Sequence, residues 1–213
     1  MAVRSLPFLY MSDLSPPVRS VLLTARLLGV SLRRKELDLG KNPQGTVPLL
    51  EDNDCVIWDS HAISGYLVNK YGKDDALYPQ EPRKRATVDQ RLHFDSGIGY
   101  PEFRNIVYPI IFGDRDSINR SGVRRVYKVY DSLNSILENG KSKWLAGDEM
   151  TIADLCNVTT ISTLEVFTPS TERFHSLDRW LNRCKCEIPG YREGNQQGLD
   201  RLVKLIKAKL STN

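Results

Sequence analysis

The chain has no apolar run approaching the roughly 20 residues that a bilayer span needs; its longest such stretches are a handful of residues. Met1 to Tyr10 holds one Arg and no apolar centre of the kind a signal peptide carries. A cytoplasmic location is the expectation. Cysteine and histidine are scarce, with 4 Cys and 3 His in 213 residues. Cys55, Cys156, Cys184 and Cys186 do not form the paired spacing that structural zinc uses. Cys184 and Cys186 are two apart in a helical segment and so point to different faces. All four read as free thiols of a reducing compartment. His61, His93 and His175 form no cluster, and no metal is expected. A Gly-x-Ser-x-Gly turn is missing, which removes that hydrolase chemistry. Excess charge is missing as well: 30 Lys and Arg stand against 26 Asp and Glu, a net +4 spread along the chain. A nucleic-acid surface would want a basic stripe interleaved with aromatics. Neither nucleic acid nor membrane is therefore an expected partner.

What is present is an ordinary globular balance, 40% hydrophobic and 26% charged, long enough for a substantial core in one large or two compact domains. The two halves differ in texture. Leu6 to Met11 reads as a short strand, and Ser15-Pro16-Pro17 as a helix start, because proline fits the first helical turn. The helix runs over Val18 to Leu28 and stops at Gly29. Val30 to Leu39 is strand-like, and Asn42-Pro43-Gln44-Gly45 is a turn. Thr46–Leu50 and Cys55–Trp58 suggest a hairpin closed by Glu51-Asp52-Asn53-Asp54. Asp59-Ser60 then caps a helix that ends at Gly72.

Strand, helix, strand, hairpin, helix is an α/β unit over residues 1–78. Tyr78 to Arg85, with two prolines, reads as a connector, placing a linker at 79–87. Residues 88–213 are helical in period. Val123, Val126, Tyr130, Leu133 and Leu137 recur at three and four and stop at Gly140. Thr151-Ile152-Ala153-Asp154 is a capping box opening a helix apolar on most sides, which belongs in a core. Phe174, Leu177, Leu181 and Cys184 mark another amphipathic stretch, and Leu202, Leu205, Ile206 and Leu210 the last. The fold class is α/β followed by all-α.

Two helix starts in the first half, at Ser15-Pro16-Pro17 and Asp59-Ser60-His61, present unpaired amides and a partial positive charge suited to anions. Between them, Pro48 has no N–H to give to a ladder, so strand pairing stops there and Val47 is left to pair with something else. One small extended ligand could satisfy all three: a carboxylate and amine at the second helix, a peptide backbone at Val47, a nucleophile at the first. A serine before two prolines is also, by itself, a plain helix cap.

Ser15-Pro16-Pro17, Asn42-Pro43-Gln44, Thr46-Val47-Pro48 and Asp59-Ser60-His61-Ala62-Ile63, with Thr151-Ile152-Ala153-Asp154 in the helical half, resemble the insect Delta and Epsilon glutathione transferases. The resemblance covers essentially the whole chain. It implies a thioredoxin-like domain followed by a helical bundle, a cis Pro48, a homodimer, and glutathione as co-substrate. It further implies that Ser15 holds the glutathione sulfur as a thiolate. Val47 and Pro48 would pair with its cysteinyl backbone, and Asp59, Ser60 and His61 would take its γ-glutamyl end. A free thiol has a pKa near 8.5, and lowering it by about two units needs about 2.7 kcal/mol. A hydroxyl donor at a helix N-terminus can supply that. Tyr100, Phe103, Tyr108 and Phe112, spaced so that each pair shares a face, would line the site of a hydrophobic electrophile, although aromatics at helical spacing are also core.

Two departures from the family pattern stand out. After Leu39 such enzymes run through about a dozen more residues, among them a histidine that contacts the glycine end of glutathione; here only Gly40 and Lys41 precede Asn42. Where the family often has His after Asn-Pro-Gln, this chain has Gly45. Arg34, Lys35 or Lys41 could stand in as diffuse positive charge. The main expectation is a detoxifying enzyme that adds glutathione to hydrophobic electrophiles or promotes elimination from them, and the alternative is a protein that binds glutathione or apolar ligands without catalysis; a glutathione-dependent thiol oxidoreductase would want Cys where Ser15 stands.

Overall fold

The computed structural model describes residues 6–35, 41–113, 117, 120–168 and 170–211. Its first half contains β1 (Phe8–Tyr10), α1 (Pro16–Leu27), β2 (Arg33–Lys35), β3 (Leu49–Asp52), β4 (Cys55–Trp58) and α2 (Ser60–Tyr71). The four strands form one mixed sheet in the order β2-β1-β3-β4. β1 and β2 run parallel across α1, β1 and β3 antiparallel, and β3 and β4 close a hairpin. This is the thioredoxin-like arrangement.

Strand alternation sends Leu9 and Leu50 to one face, where both are fully buried with Val18, Val21, Ile63 and Leu67 of α1 and α2. The opposite face carries Phe8 and Tyr10. There the Lys35 ammonium lies 3.9 Å from the Phe8 ring centroid and the Arg33 guanidinium 4.3 Å from it. Tyr10 donates to Glu51 at 2.8 Å and accepts from Lys41 at 2.9 Å and Lys35 at 3.2 Å. A strand as charged as β2 is therefore held by rings that its cations cover.

The hairpin differs from the sequence expectation in extent. β3 starts at Leu49 rather than Thr46, because Pro48 donates nothing to the ladder. It runs on through Glu51 and Asp52, leaving only Asn53-Asp54 to turn, with Asn53 at φ 57°. Asp52 enters the strand because its carboxylate accepts from three donors: Tyr71 at 2.6 Å, Lys70 at 2.7 Å and Tyr66 at 2.9 Å. The strand expected over Val30 to Leu39 is seen at Arg33–Lys35, and residues 36–40 lie outside the described residues.

The second half is helical: α3 (Pro82–Phe94), α4 (Tyr100–Ile111), α5 (Arg120–Gly140), α6 (Ile152–Phe167), α7 (His175–Glu187) and α8 (Gln197–Ser211). The connector read from Tyr78 to Arg85 is helical from Pro82 on, since Glu81 caps the amides of Arg83 and Lys84. Between α3 and α4 a π-helical turn spans Asp95–Gly99, and the Tyr100 amide bonds Asp95 five residues back. Pro101 supplies the cause: it cannot donate to the carbonyl four residues behind it, and its ring pushes that carbonyl away.

The capping box of α6 is present, and every residue from Ile152 to Leu164 is buried, as its all-round apolar pattern requires. Buried Arg19 of α1 ties the halves together, donating to Thr163 of α6 at 2.6 Å and to Asn195 at 2.7 Å. Burial lowers its pKa to about 10, against the opposing pull of Tyr191 and Asp13. Among the described residues no helix is long and apolar enough to cross a membrane.

Candidate active site

Strand register brings the three candidate segments together. Tyr10 of β1 pairs with Leu49 of β3, and Leu49 pairs with Trp58 of β4. Tyr10 ends β1 and leads to Ser15; Leu49 begins β3 just after Val47-Pro48; Trp58 ends β4 just before Asp59. All three segments therefore leave the sheet at one end, although Ser15 and Val47 are 32 positions apart in the chain.

Ser15 sits at the N-cap of α1 with extended backbone (φ −80°, ψ 123°) and is half-buried, yet its side chain makes no cap hydrogen bond. An N-cap oxygen normally accepts from the second or third amide of the helix; Pro17 in the second place has no N–H to offer, which leaves the Val18 amide as the one such donor, and Ser15 makes no bond to it. The hydroxyl is left to serve something else beside the helix's positive end.

Gly45 at φ 60° closes the Asn42 turn, a conformation that glycine adopts without strain. Asn42 braces it from inside, donating to the Thr46 carbonyl at 2.7 Å and accepting from the Gln44 amide at 2.9 Å. The Val47–Pro48 peptide is cis, as the resemblance implies. Val47 lies two residues before Leu49, the first ladder position of β3.

Asp59 is exposed and held at φ 73°, a region that costs a non-glycine residue about 1–3 kcal/mol and that clusters at functional sites. One carboxylate oxygen caps α2, accepting from His61 N at 2.9 Å and Ala62 N at 3.2 Å. Ser60 follows, buried at the first position of the helix. His61 behaves differently from its neighbours. Its Nε2 lies 3.0 Å from Asp95 Oδ2 in the π-helical turn, with both side chains largely enclosed. Burial alone would lower the ring's pKa; the sulfur of Cys156 and the Asp95 carboxylate outweigh it and hold it well above the ordinary value. The ring thus works across the domain boundary.

The four aromatics of α4 divide. Tyr100 and Tyr108 join through their hydroxyls at 3.1 Å and face a cleft of about 540 Å³. Phe103 stacks on Tyr100 at 5.5 Å but is 3% exposed, in the core. Phe112, at the end of α4, is 76% exposed and lies against Tyr108 at 5.3 Å without lining the cleft. Arg104, Asn105 and Arg125 line it instead.

Residues 9–75 match the glutathione S-transferase N-terminal domain family, and residues 113–186 the glutathione S-transferase C-terminal domain family. Glutathione S-transferase 1 of Manduca sexta is 42% identical over 217 residues, covering 95% of this chain and 98% of the relative. The chain belongs to the glutathione S-transferase family. An epsilon-class glutathione S-transferase from the housefly Musca domestica has TM-score 0.89 at 40% identity, over 95% of this chain and 98% of that one. A glutathione transferase homolog from Drosophila mojavensis, solved with bound glutathione, has TM-score 0.89 at 37% identity, over 96% and 97%.

The alignment with the Manduca sexta transferase is 217 positions long, more than the 213 residues here, so that transferase has residues without a counterpart in this chain. Leu39 and Gly40, after which a shorter segment is expected, lie outside the described residues. Of the cations considered as substitutes, Lys35 and Lys41 are engaged with Tyr10.

Sequence reading missed what holds the Ser15 turn of this family member from behind. Asp13 forms an ion pair with Arg201 of α8. A Cβ on Gly198, in the first turn of α8, would stand 2.3 Å from the Asp13 carbonyl oxygen and 2.8 Å from the Arg19 side chain. A glycine inside an otherwise good helix is the signal that could have pointed there, since it costs about 1 kcal/mol unless another backbone needs the space. Gly198→Ala is expected to displace the Asp13–Ser15 turn. The thermal midpoint should fall by several degrees and the KM for glutathione should rise. Thermal melts and initial rates check both.

Proposed function

We propose that the chain catalyses attack of glutathione on hydrophobic electrophiles as part of detoxification. Ser15 donates to the sulfur and, with the N-terminus of α1, keeps it as thiolate. Val47 pairs with the cysteinyl backbone beside Pro48, and Asp59 and Ser60 take the γ-glutamyl end. Tyr100 and Tyr108 face the second substrate. In substitution the thiolate lone pair forms the C–S bond, the halide leaves with the C–X electrons, and the thiol proton passes to solvent. Residues 1–78 hold glutathione, 79–87 connect, and 88–213 supply the electrophile cleft. The working form is a cytoplasmic homodimer, consistent with the exposed Val56 and Trp58 on β4.

The observation that supports this reading is the Tyr10–Leu49–Trp58 register, which brings the segments leading to Ser15, Val47 and Asp59 to one end of the sheet. Calorimetry with S-hexylglutathione, alongside conjugation of 1-chloro-2,4-dinitrobenzene, tests it. Binding together with turnover is the expected result. Binding without turnover would leave a carrier, and neither would reject the site.

A further inference from the structure

We infer that the electrophile cleft selects substrates whose aromatic body ends in a carboxylate or a similar anionic group. The inference rests on the transferase reading above. It begins with an imbalance in the lining of the cleft. Among the described residues the lining carries two guanidiniums, Arg104 and Arg125, with the hydroxyls of Tyr100 and Tyr108 and the amide of Asn105, and no Asp or Glu. Glu102, the carboxylate nearest in sequence, turns aside to Arg125 at 2.8 Å and is largely enclosed.

Arg104 is left differently. It is exposed, its guanidinium lies 5.0 Å from the Tyr108 ring centroid, and among the described residues it enters no ion pair. A guanidinium presents a planar fork of donors that matches a carboxylate. Stacking near the Tyr108 ring limits the directions in which that fork can point.

The tyrosines strengthen the polarity. In the Tyr100–Tyr108 pair one hydroxyl donates to the other, so one O–H remains to give. Burial and the neighbouring Tyr108 hold the Tyr100 phenol protonated far above neutral pH. A neutral, fully apolar electrophile would have to strip water from these donors and return nothing to them. An anionic end satisfies them, while the stacked rings of α4 take the aromatic body.

The test compares 4-chloro-3-nitrobenzoate with its methyl ester, each kcat/KM divided by the uncatalysed rate with glutathione. The wild-type ratio of acid to ester is expected to exceed one by about tenfold, the scale of one charge-assisted hydrogen bond. It should fall as salt is raised from 0.01 to 0.5 M, as an exposed charge contact must. Arg104→Gln should remove most of the preference and Arg104→Lys retain part of it. The ratio is taken within one protein, so a loss of folded fraction cancels. A wild-type ratio at or below one, or a ratio unchanged in Arg104→Gln, overturns the inference. No conjugation of either compound or of 1-chloro-2,4-dinitrobenzene rejects the transferase reading beneath it; turnover of the neutral compounds alone rejects only the selectivity.

Discussion

Ser15→Ala is expected to lower kcat/KM for an aryl chloride by at least about tenfold while the protein stays folded. One hydrogen bond to a charged group is worth about 1.5–3 kcal/mol, which is roughly 10- to 150-fold in the population of thiolate. Without the donor, the bound thiol's pKa rises toward that of free glutathione, so the ascending limb of kcat/KM against pH moves to higher pH. Folding survives because this serine gives its helix little. Replacing an N-cap serine by alanine ordinarily costs about 0.5–2 kcal/mol. Here the side chain makes no cap bond, so no such bond is lost. The change in urea midpoint should therefore fall near the small end of that range. Rates over pH 5–9 together with urea melts check both halves; wild-type turnover in Ser15→Ala would remove this residue from the chemistry.

The largest loss of stability is expected at Asp154. Its carboxylate is fully buried and receives four donors: the amides of Leu145 and Thr151 and the indole of Trp180, each at 2.9 Å, and the Thr151 hydroxyl at 3.3 Å. These join the start of α6 to the loop before it and to α7. Asp154→Ala leaves buried donors without an acceptor, and each orphan costs about 1–3 kcal/mol. Trp180, itself fully buried, loses its only polar anchor among the described residues. A loss of about 4 kcal/mol is expected by urea titration, a large share of the roughly 5–15 kcal/mol that holds a domain. Asp154→Asn should fall between, since one acceptor oxygen remains while its NH₂ meets another donor. A loss below about 1 kcal/mol in Asp154→Ala would mean that water reaches those groups.

Much of the candidate site was legible because its signals are local. Ser15-Pro16-Pro17 and Asp59-Ser60 name helix starts through backbone rules that act within one turn, and both helices begin there. Asn42 and Gly45 build the turn that their residue types require. The Thr151–Asp154 box likewise closes on itself. Legibility failed where a side chain's role depends on a distant partner. His61 sits in a motif that suggests ligand contact, but Asp95, 34 residues on, claims its ring. Phe103 and Phe112 share helical spacing with Tyr100 and Tyr108; neighbouring helices bury the first and leave the second in solvent. Asp52 read as turn because acidic residues favour turns, whereas three donors from α2 draw it into β3.

The sequence by itself determined the succession of elements, the α/β half before the helical half, the places where chains turn, and the backbone amides and hydroxyl that an anion could use. Those follow from proline's missing N–H, glycine's access to positive φ and the periodicity of apolar residues, all properties of short stretches. Tertiary structure alone decided that Tyr10, Leu49 and Trp58 stand in one row, since register is a relation between strands. It decided too that Gly198 lets α8 approach Asp13 behind Ser15, and that Arg104 rather than Phe112 lines the cleft. Each depends on which surfaces meet, and that is set by packing over the whole chain.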